Sequence, residues 1–130
     1  MSDIADFLRA RFAERRAVAL AASPGPWHAN AESDEVVAED GITVADGFAL
    51  SGQQLRATVD HIALHDPADV IADLDAKLGI VDHYERTQAY AEVQQRHEYV
   101  LAAGACAVAL KTLAQPYVGH PDHRGEEWTP

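Results

Sequence analysis

Apolar residues recur at Ile4, Phe7, Leu8 and Phe12, three and four positions apart. That spacing predicts an amphipathic helix reaching about Ala22. Ser2 or Asp3 stands where an N-cap is needed. Ser23-Pro24-Gly25-Pro26 then ends the helix, because proline lacks an N–H and clashes with the preceding turn. Trp27 follows directly and is expected to fold back over the helix end. Beyond it the period shortens. Glu35-Val36-Val37-Ala38 and Ile42-Thr43-Val44-Ala45 are β-branched runs flanking Glu39-Asp40-Gly41, a local signal for a tight hairpin. Trp27-His28-Ala29 offers a third strand, and Phe48 to Gly52 reads as a connector.

Helical spacing returns at Gln53 to Leu64, with Leu55, Val59, Ile62 and Ala63 inward. Asp66 is placed to cap the next helix. Pro67 falls at its first position, where a missing N–H costs nothing. Val70, Ile71, Leu74, Leu78, Val81 and Tyr84 form a regular apolar stripe, which continues more sparsely through Tyr90, Val93, His97 and Val100. The pattern allows one helix from Pro67 to about Leu101 or a bend near Thr87, and Gly104 is a candidate break. A final helix with Val108, Leu110 and Leu113 ends before Gln115-Pro116. The rest is turn-rich.

The expected architecture is α+β and mostly helical. It has an N-terminal helix (1–22), a small antiparallel β-hairpin or three-stranded sheet (27–47), three to four helical segments (53–115) and a turn-rich tail (116–130). The length of 130 residues suits a single domain. Apolar residues make up 48% of the chain, which excludes a disordered class. The longest apolar-leaning run, Tyr99 to Leu110, is shorter than a bilayer crossing requires. Acids follow Met1 where a signal peptide would carry positive charge, so a cytoplasmic location is expected and no membrane partner. The narrow stripe and charged flanks of the long helix suit pairing between subunits, hence a homodimer.

The net charge of −11 argues against direct binding to nucleic acid. The charge is uneven. Residues 29–55 contain no Lys or Arg but carry Glu32, Asp34, Glu35, Glu39, Asp40 and Asp46, whereas Arg9, Arg11, Arg15 and Arg16 share the first helix. One reading is a solvated acidic region beside an ordinary basic helix face. The sharper one is a surface for a basic partner and a separate anion-binding face. Cys106, the lone cysteine, has an apolar context that suits an inert packed residue.

Two histidine groups carry candidate chemistry. His61 and His65 lie four residues apart, on one helix face. Zinc enzymes use this spacing with a third ligand and usually a glutamate between the histidines, and Ile62-Ala63-Leu64 supplies none. A third ligand would come from His120, His123 or Asp66. The competing reading makes His65 a helix C-terminal residue favoured by the carbonyl end of the dipole. His120-Pro121-Asp122-His123 is a turn in which Asp122 would orient either imidazole, with His28 and Asp66 also available for acid–base work. Its plainer reading is a packed tail anchored by Tyr117 and Trp128. Asp69, Asp73 and Asp75 are read as a solvated face, with Asp73 and Lys77 at helical-pair spacing. The chain holds no phosphate loop, nucleophile elbow or CxxC pair.

Three segments carry a resemblance: Ser23-Pro24-Gly25-Pro26-Trp27; His61-Ile62-Ala63-Leu64-His65-Asp66-Pro67 leading to Val70, Ala76, Lys77 and Ile80; and Ala114-Gln115-Pro116-Tyr117 with His120-Pro121-Asp122 and Glu127-Trp128. Over nearly its whole length the chain resembles an actinobacterial and actinophage family of small proteins of unknown function. The first two elements are also similar, more loosely, to Ead-type accessory proteins of lambdoid phages. The resemblance implies a phage or prophage context and no reaction. The chain departs from the family pattern at His123, where Tyr is common, and in having Cys106 where some members carry several cysteines.

The expectation is therefore a non-enzymatic accessory protein, with no catalytic residue and no cofactor, that binds a host or phage protein. One alternative is a small-ligand sponge for a nucleotide signal, using Arg9, Arg16 or Arg56 with Trp27 or Tyr117 for stacking. Another is a metal-dependent hydrolase, with zinc a candidate metal, using His61, His65 and His120 or His123.

Overall fold

The structure is a computed structural model and describes residues 3–130. The elements run α1 (Asp3–Ala21), β1 (His28–Ala29), β2 (Glu35–Val37), β3 (Thr43–Asp46), α2 (Gly52–Leu64), α3 (Pro67–Gln94) and α4 (His97–Ala114). Two 3-10 turns follow, Gln115–Tyr117 and Gly125–Trp128. The α+β, mostly helical expectation holds, and the sheet has three strands. Ser2, one candidate cap of α1, lies outside the described residues. The chain divides into two compact units, residues 15–74 and residues 1–14 with 75–130. Helices α1 and α3 each contribute to both.

In the first unit the strands are antiparallel in the order β1-β2-β3. His28 pairs with Val37 and Ala29 with Val36; Glu35, Val36 and Val37 pair with Asp46, Ala45 and Thr43, with a bulge between Val36 and Val37. Gly41 has φ +81°, a conformation that favours glycine, and its N–H bonds Ala38 C=O at 3.0 Å to close the hairpin. Helix α2 lies against β1 and β2. Val36, Ala38 and Val59 are fully buried.

Asp66 ties this unit together. It is buried, and its Oδ1 accepts the Asp69 N–H at 2.9 Å, the N-cap bond of α3. Its Oδ2 accepts the Trp27 backbone N–H at 3.1 Å. The Trp27 indole N–H donates to Ser23 C=O at 2.9 Å, just past the end of α1. The Pro-Gly-Pro-Trp breaker and the Asp-Pro helix start thus meet in one corner, and the Gly25–Pro26 peptide within it is cis.

In the second unit the apolar face of α1 is buried as its spacing predicts: Ile4, Phe7, Leu8 and Phe12, with Ala5. Val81 and Tyr84 of α3, Leu110 and Ala114 of α4, and Trp128 complete the buried apolar set among the described residues. The long helix is interrupted neither at Thr87 nor at Gly104. It stops at Gln94, turns over Gln95 (φ +50°) and Arg96, and restarts at His97. Gly104 lies inside α4. Apolar character also extends past Leu110. Residues His97–Tyr117 form a stretch that is long and apolar enough, by length and composition alone, to cross a membrane, with only 11% of it buried. The expectation that no segment reaches that length is corrected here, because the helix carries Thr112, Leu113 and Ala114 on into the following turn. Cys106 is half-buried.

Candidate functional site

The acidic stretch is organised by side-chain to backbone bonds. Asn30 Oδ1 accepts the N–H groups of Asp34 and Glu35 at 3.0 Å each, and its Nδ2 donates to Asp34 Oδ1 at 2.7 Å. Asp34 C=O then accepts the Gly47 N–H at 2.7 Å, fixing the exit of β3. Gly47 is required by space. A Cβ there would lie 2.6 Å from Val59 Cγ2, 2.8 Å from Leu55 Cδ1 and 3.3 Å from Asp34 O. Four residues on, Ser51 Oγ accepts the Gln54 N–H at 3.2 Å and caps α2. The segment between these anchors carries Phe48 at 86% and Leu50 at 104% exposure.

Single exposed apolar residues are ordinary. A phenylalanine and a leucine two positions apart, both almost wholly in water on a segment held at both ends, are a presented pair. Glu32, Glu39, Asp40 and Asp46 of the neighbouring turns and strand are exposed as well. Replacing Gly47 by Ala is expected to lower stability by about 1–3 kcal/mol through overpacking against the buried Val59. An unchanged urea midpoint would mean the segment is not anchored there.

The His61 and His65 rings come together, with centroids 4.4 Å apart at 45°. His65 Nδ1 lies 2.7 Å from His61 C=O, so it donates, and Nε2 is then the ring nitrogen left to accept. The His65 backbone N–H closes the helix end on Ile62 C=O at 3.1 Å. Asp66 is occupied by two amides, as described. Among the described residues, no group of three or more His, Cys, Asp or Glu side chains is arranged to hold a metal ion.

The tail histidines build a different assembly on α1. Arg11 is buried, and its guanidinium bonds Glu14 at 2.8 Å and lies against both ring nitrogens of His120, 2.8 Å from Nδ1. It also sits 5.1 Å from the Phe7 ring centroid, in cation–π contact. His120 Nδ1 accepts the Asp122 N–H at 3.1 Å, while the Asp122 carboxylate stays 4.0 Å away. His123 Nδ1 accepts the Gly125 N–H at 2.9 Å. Phe7 is the hub, with Tyr117, His120, His123 and Trp128 rings at centroid distances of 5.0–6.1 Å. Arg124 bonds Asp3 at 2.5 Å and Glu127 at 3.2 Å, and these bonds, Glu127 first, raise its pKa above the ordinary guanidinium value. His120 therefore accepts a hydrogen bond from its own turn and packs against Arg11 of α1 within a packed tail.

A stacked nucleotide would need an unpaired cation beside an open aromatic face. Arg9 bonds Glu85 at 2.5 Å and Asp82 at 2.6 Å, and these bonds, Glu85 first, raise its pKa above the usual value. A phosphate would have to displace both carboxylates. Tyr117, in the same unit, is half-buried with its ring 6.1 Å from Phe7 and 6.3 Å from Phe12. Arg16, Arg56 and Trp27 belong to the other unit. Trp27 is half-buried with its N–H satisfied, Arg56 is exposed, and Arg16 has partners of its own.

A sequence model for a family of unknown function, DUF6221, matches residues 1–130. The chain belongs to DUF6221. That description brings no activity to any DUF6221 residue. No curated protein and no solved structure matches the chain. Function is therefore read from geometry. The presented pair at Phe48 and Leu50 is the feature that sequence reading passed over, as part of a connector. Its signal was two bulky apolar residues in a linker between an acidic stretch and a capped helix.

Proposed function

We propose that the chain is a non-enzymatic accessory protein of phage or prophage origin, acting in an actinobacterial cytoplasm by binding a host or phage protein. The observation that carries this reading is the anchored Phe48–Leu50 segment beside a stretch that holds six carboxylates and no basic residue. The chemistry selects the partner class. Two apolar side chains fit a pocket, and the carboxylates favour a rim of Lys and Arg around it. Aromatic and aliphatic anchors of this kind dominate interface energies, whereas the charged surround sets encounter rate and salt sensitivity.

The test compares wild type with Phe48→Ala/Leu50→Ala as baits in host or infected-host lysate, read by quantitative mass spectrometry. The variant is expected to keep its melting temperature, because neither side chain is buried, and to lose the captured protein. Affinity for that protein should fall roughly 10–1,000-fold, and high salt should slow wild-type association. A wild-type bait that retains no protein reproducibly, or a variant that retains the same one, would overturn the reading.

A further inference from the structure

The α3–α4 turn carries a second apolar surface, and its geometry suits a different occupant. On α3, Tyr90 is 60% and Val93 78% exposed; on α4, Val100, Leu101 and Val108 are 53%, 60% and 50% exposed. Val100, Gly104 and Val108 follow each other at four-residue steps, and Leu101 and Ala105 run beside them, all exposed. This is one face of one helix. The opposite side of α4 already has its partners, since Leu110 and Ala114 are fully buried. The stacked rings of Tyr90 and Tyr99, 6.0 Å apart, bridge the two helices. Tyr90 stands as a ridge between two hollows. One, of about 520 Å³, runs from His83 and Thr87 across to Tyr99 and Ala102; the other, of about 280 Å³, is formed with Ala89 and Val93.

We infer that this face pairs with the same face of a second copy of the chain, about a two-fold axis that passes near Gly104. Two observations select that occupant. The first is charge. Between residues 83 and 109 there are three carboxylates, Glu85, Glu92 and Glu98, against Arg86 and Arg96, and Arg96 is paired with Glu98 at 2.6 Å. The face is thus nearly neutral within a chain of net charge −11, so two copies meet here without the repulsion their remaining charge would cause. The same overall charge opposes an anionic bilayer.

The second is Gly104. A mid-helix glycine costs about 1 kcal/mol relative to alanine. Nothing lies within 4 Å of where its Cβ would stand, so it serves no packing purpose inside one copy. Across a two-fold contact it lets two α4 backbones approach closely. In area, the five large side chains alone expose on the order of 500 Å², judged from usual side-chain sizes. The intervening Ala89, Ala102, Gly104 and Ala105 extend this toward the ~800 Å² per partner of a stable pair. This surface is separate from the Phe48–Leu50 segment, and the inference does not rest on that reading.

Sedimentation equilibrium of the full chain without detergent, at micromolar to submillimolar concentration, tests it. A mass of twice 14.1 kDa is expected at the upper end. Val93→Glu/Leu101→Glu should weaken association at least ~100-fold, because each copy would bury unpaired carboxylates. Gly104→Cys with Cys106→Ser should form a covalent dimer on mild oxidation, since near-axial Cβ atoms come within disulfide reach. This arm holds even if the glutamate variant unfolds. A wild type that stays at 14.1 kDa throughout overturns the inference. So does a dimer that survives the glutamate pair while the Gly104→Cys variant forms no cross-link, or a chain that floats with neutral vesicles as a monomer.

Discussion

Trp128→Ala is expected to lower the free energy of unfolding by about 3–5 kcal/mol, the range for deleting a buried aromatic side chain. The melting temperature should fall by roughly 10–20 °C, a large share of the stability of a domain this size. Trp128 is 5% exposed, and its ring meets Phe7 at 5.0 Å and His123 at 5.1 Å. Arg124 lies 5.8 Å over it in cation–π contact. Removing the indole therefore uncovers Phe7, the residue on which Tyr117, His120 and His123 also converge. Trp128→Phe should cost clearly less, because it keeps an aromatic face toward Phe7. Arg11→Met removes the guanidinium's share of the latch. Its cation–π contact with Phe7 and its bonds to Glu14 and His120 are lost while an apolar side chain of similar length remains, so its cost should fall below that of Trp128→Ala. If Trp128→Ala melts within a few degrees of wild type, the tail is not what closes over α1.

The parts of this fold that were legible in the sequence are those set by neighbours. The α1 face, the Asp40-Gly41 turn and the Asp66-Pro67 helix start depend on residues within a few positions, and each forms as expected. The break at Gln95-Arg96 was not legible, because Gln and Arg are good helix formers and neither is a usual stop signal. The left-handed Gln95 is imposed by context and not by its own preference. Gly104 misled in the opposite direction, since one glycine is outweighed by an otherwise helical run of 18 residues. At the sites, spacing found the His61–His65 pair and the tail turn. It did not show that Arg11 meets His120, 109 residues away, or that Arg9 meets Glu85, 76 residues away. Those pairings separate Arg11 and Arg9 from the exposed basic face that helical spacing alone suggests. The acidic stretch was plain, whereas the presentation of Phe48 and Leu50 depends on Gly47 packing against Val59, a contact between elements.

Asp66→Ala should cost about 2–4 kcal/mol. The expected loss combines an N-cap, about 0.5–2 kcal/mol, with the Trp27 N–H left without its carboxylate, about 1–3 kcal/mol. Asp66→Asn retains an acceptor oxygen for one of the two amides and should fall between Ala and wild type. A coupled measurement shows whether the two motifs are one structural unit. A Cβ at position 25 would stand 3.1 Å from Asp66 Cγ and Oδ1, and 3.3 Å from Ala68 Cβ. Gly25→Ala should therefore destabilise the wild-type chain by crowding that carboxylate. With Asp66→Ala already in place the crowding is largely relieved, and the same substitution should cost at least ~1 kcal/mol less. Strict additivity of the two would mean that the Pro-Gly-Pro-Trp breaker and the His-Asp-Pro corner are independent. A coupling of the expected sign makes Asp66 the residue that converts a helix stop and a helix start, about 40 positions apart, into a single joint. The His61–His65 pair then lies at the end of the helix leading into that joint, where the His65 ring closes on the His61 carbonyl.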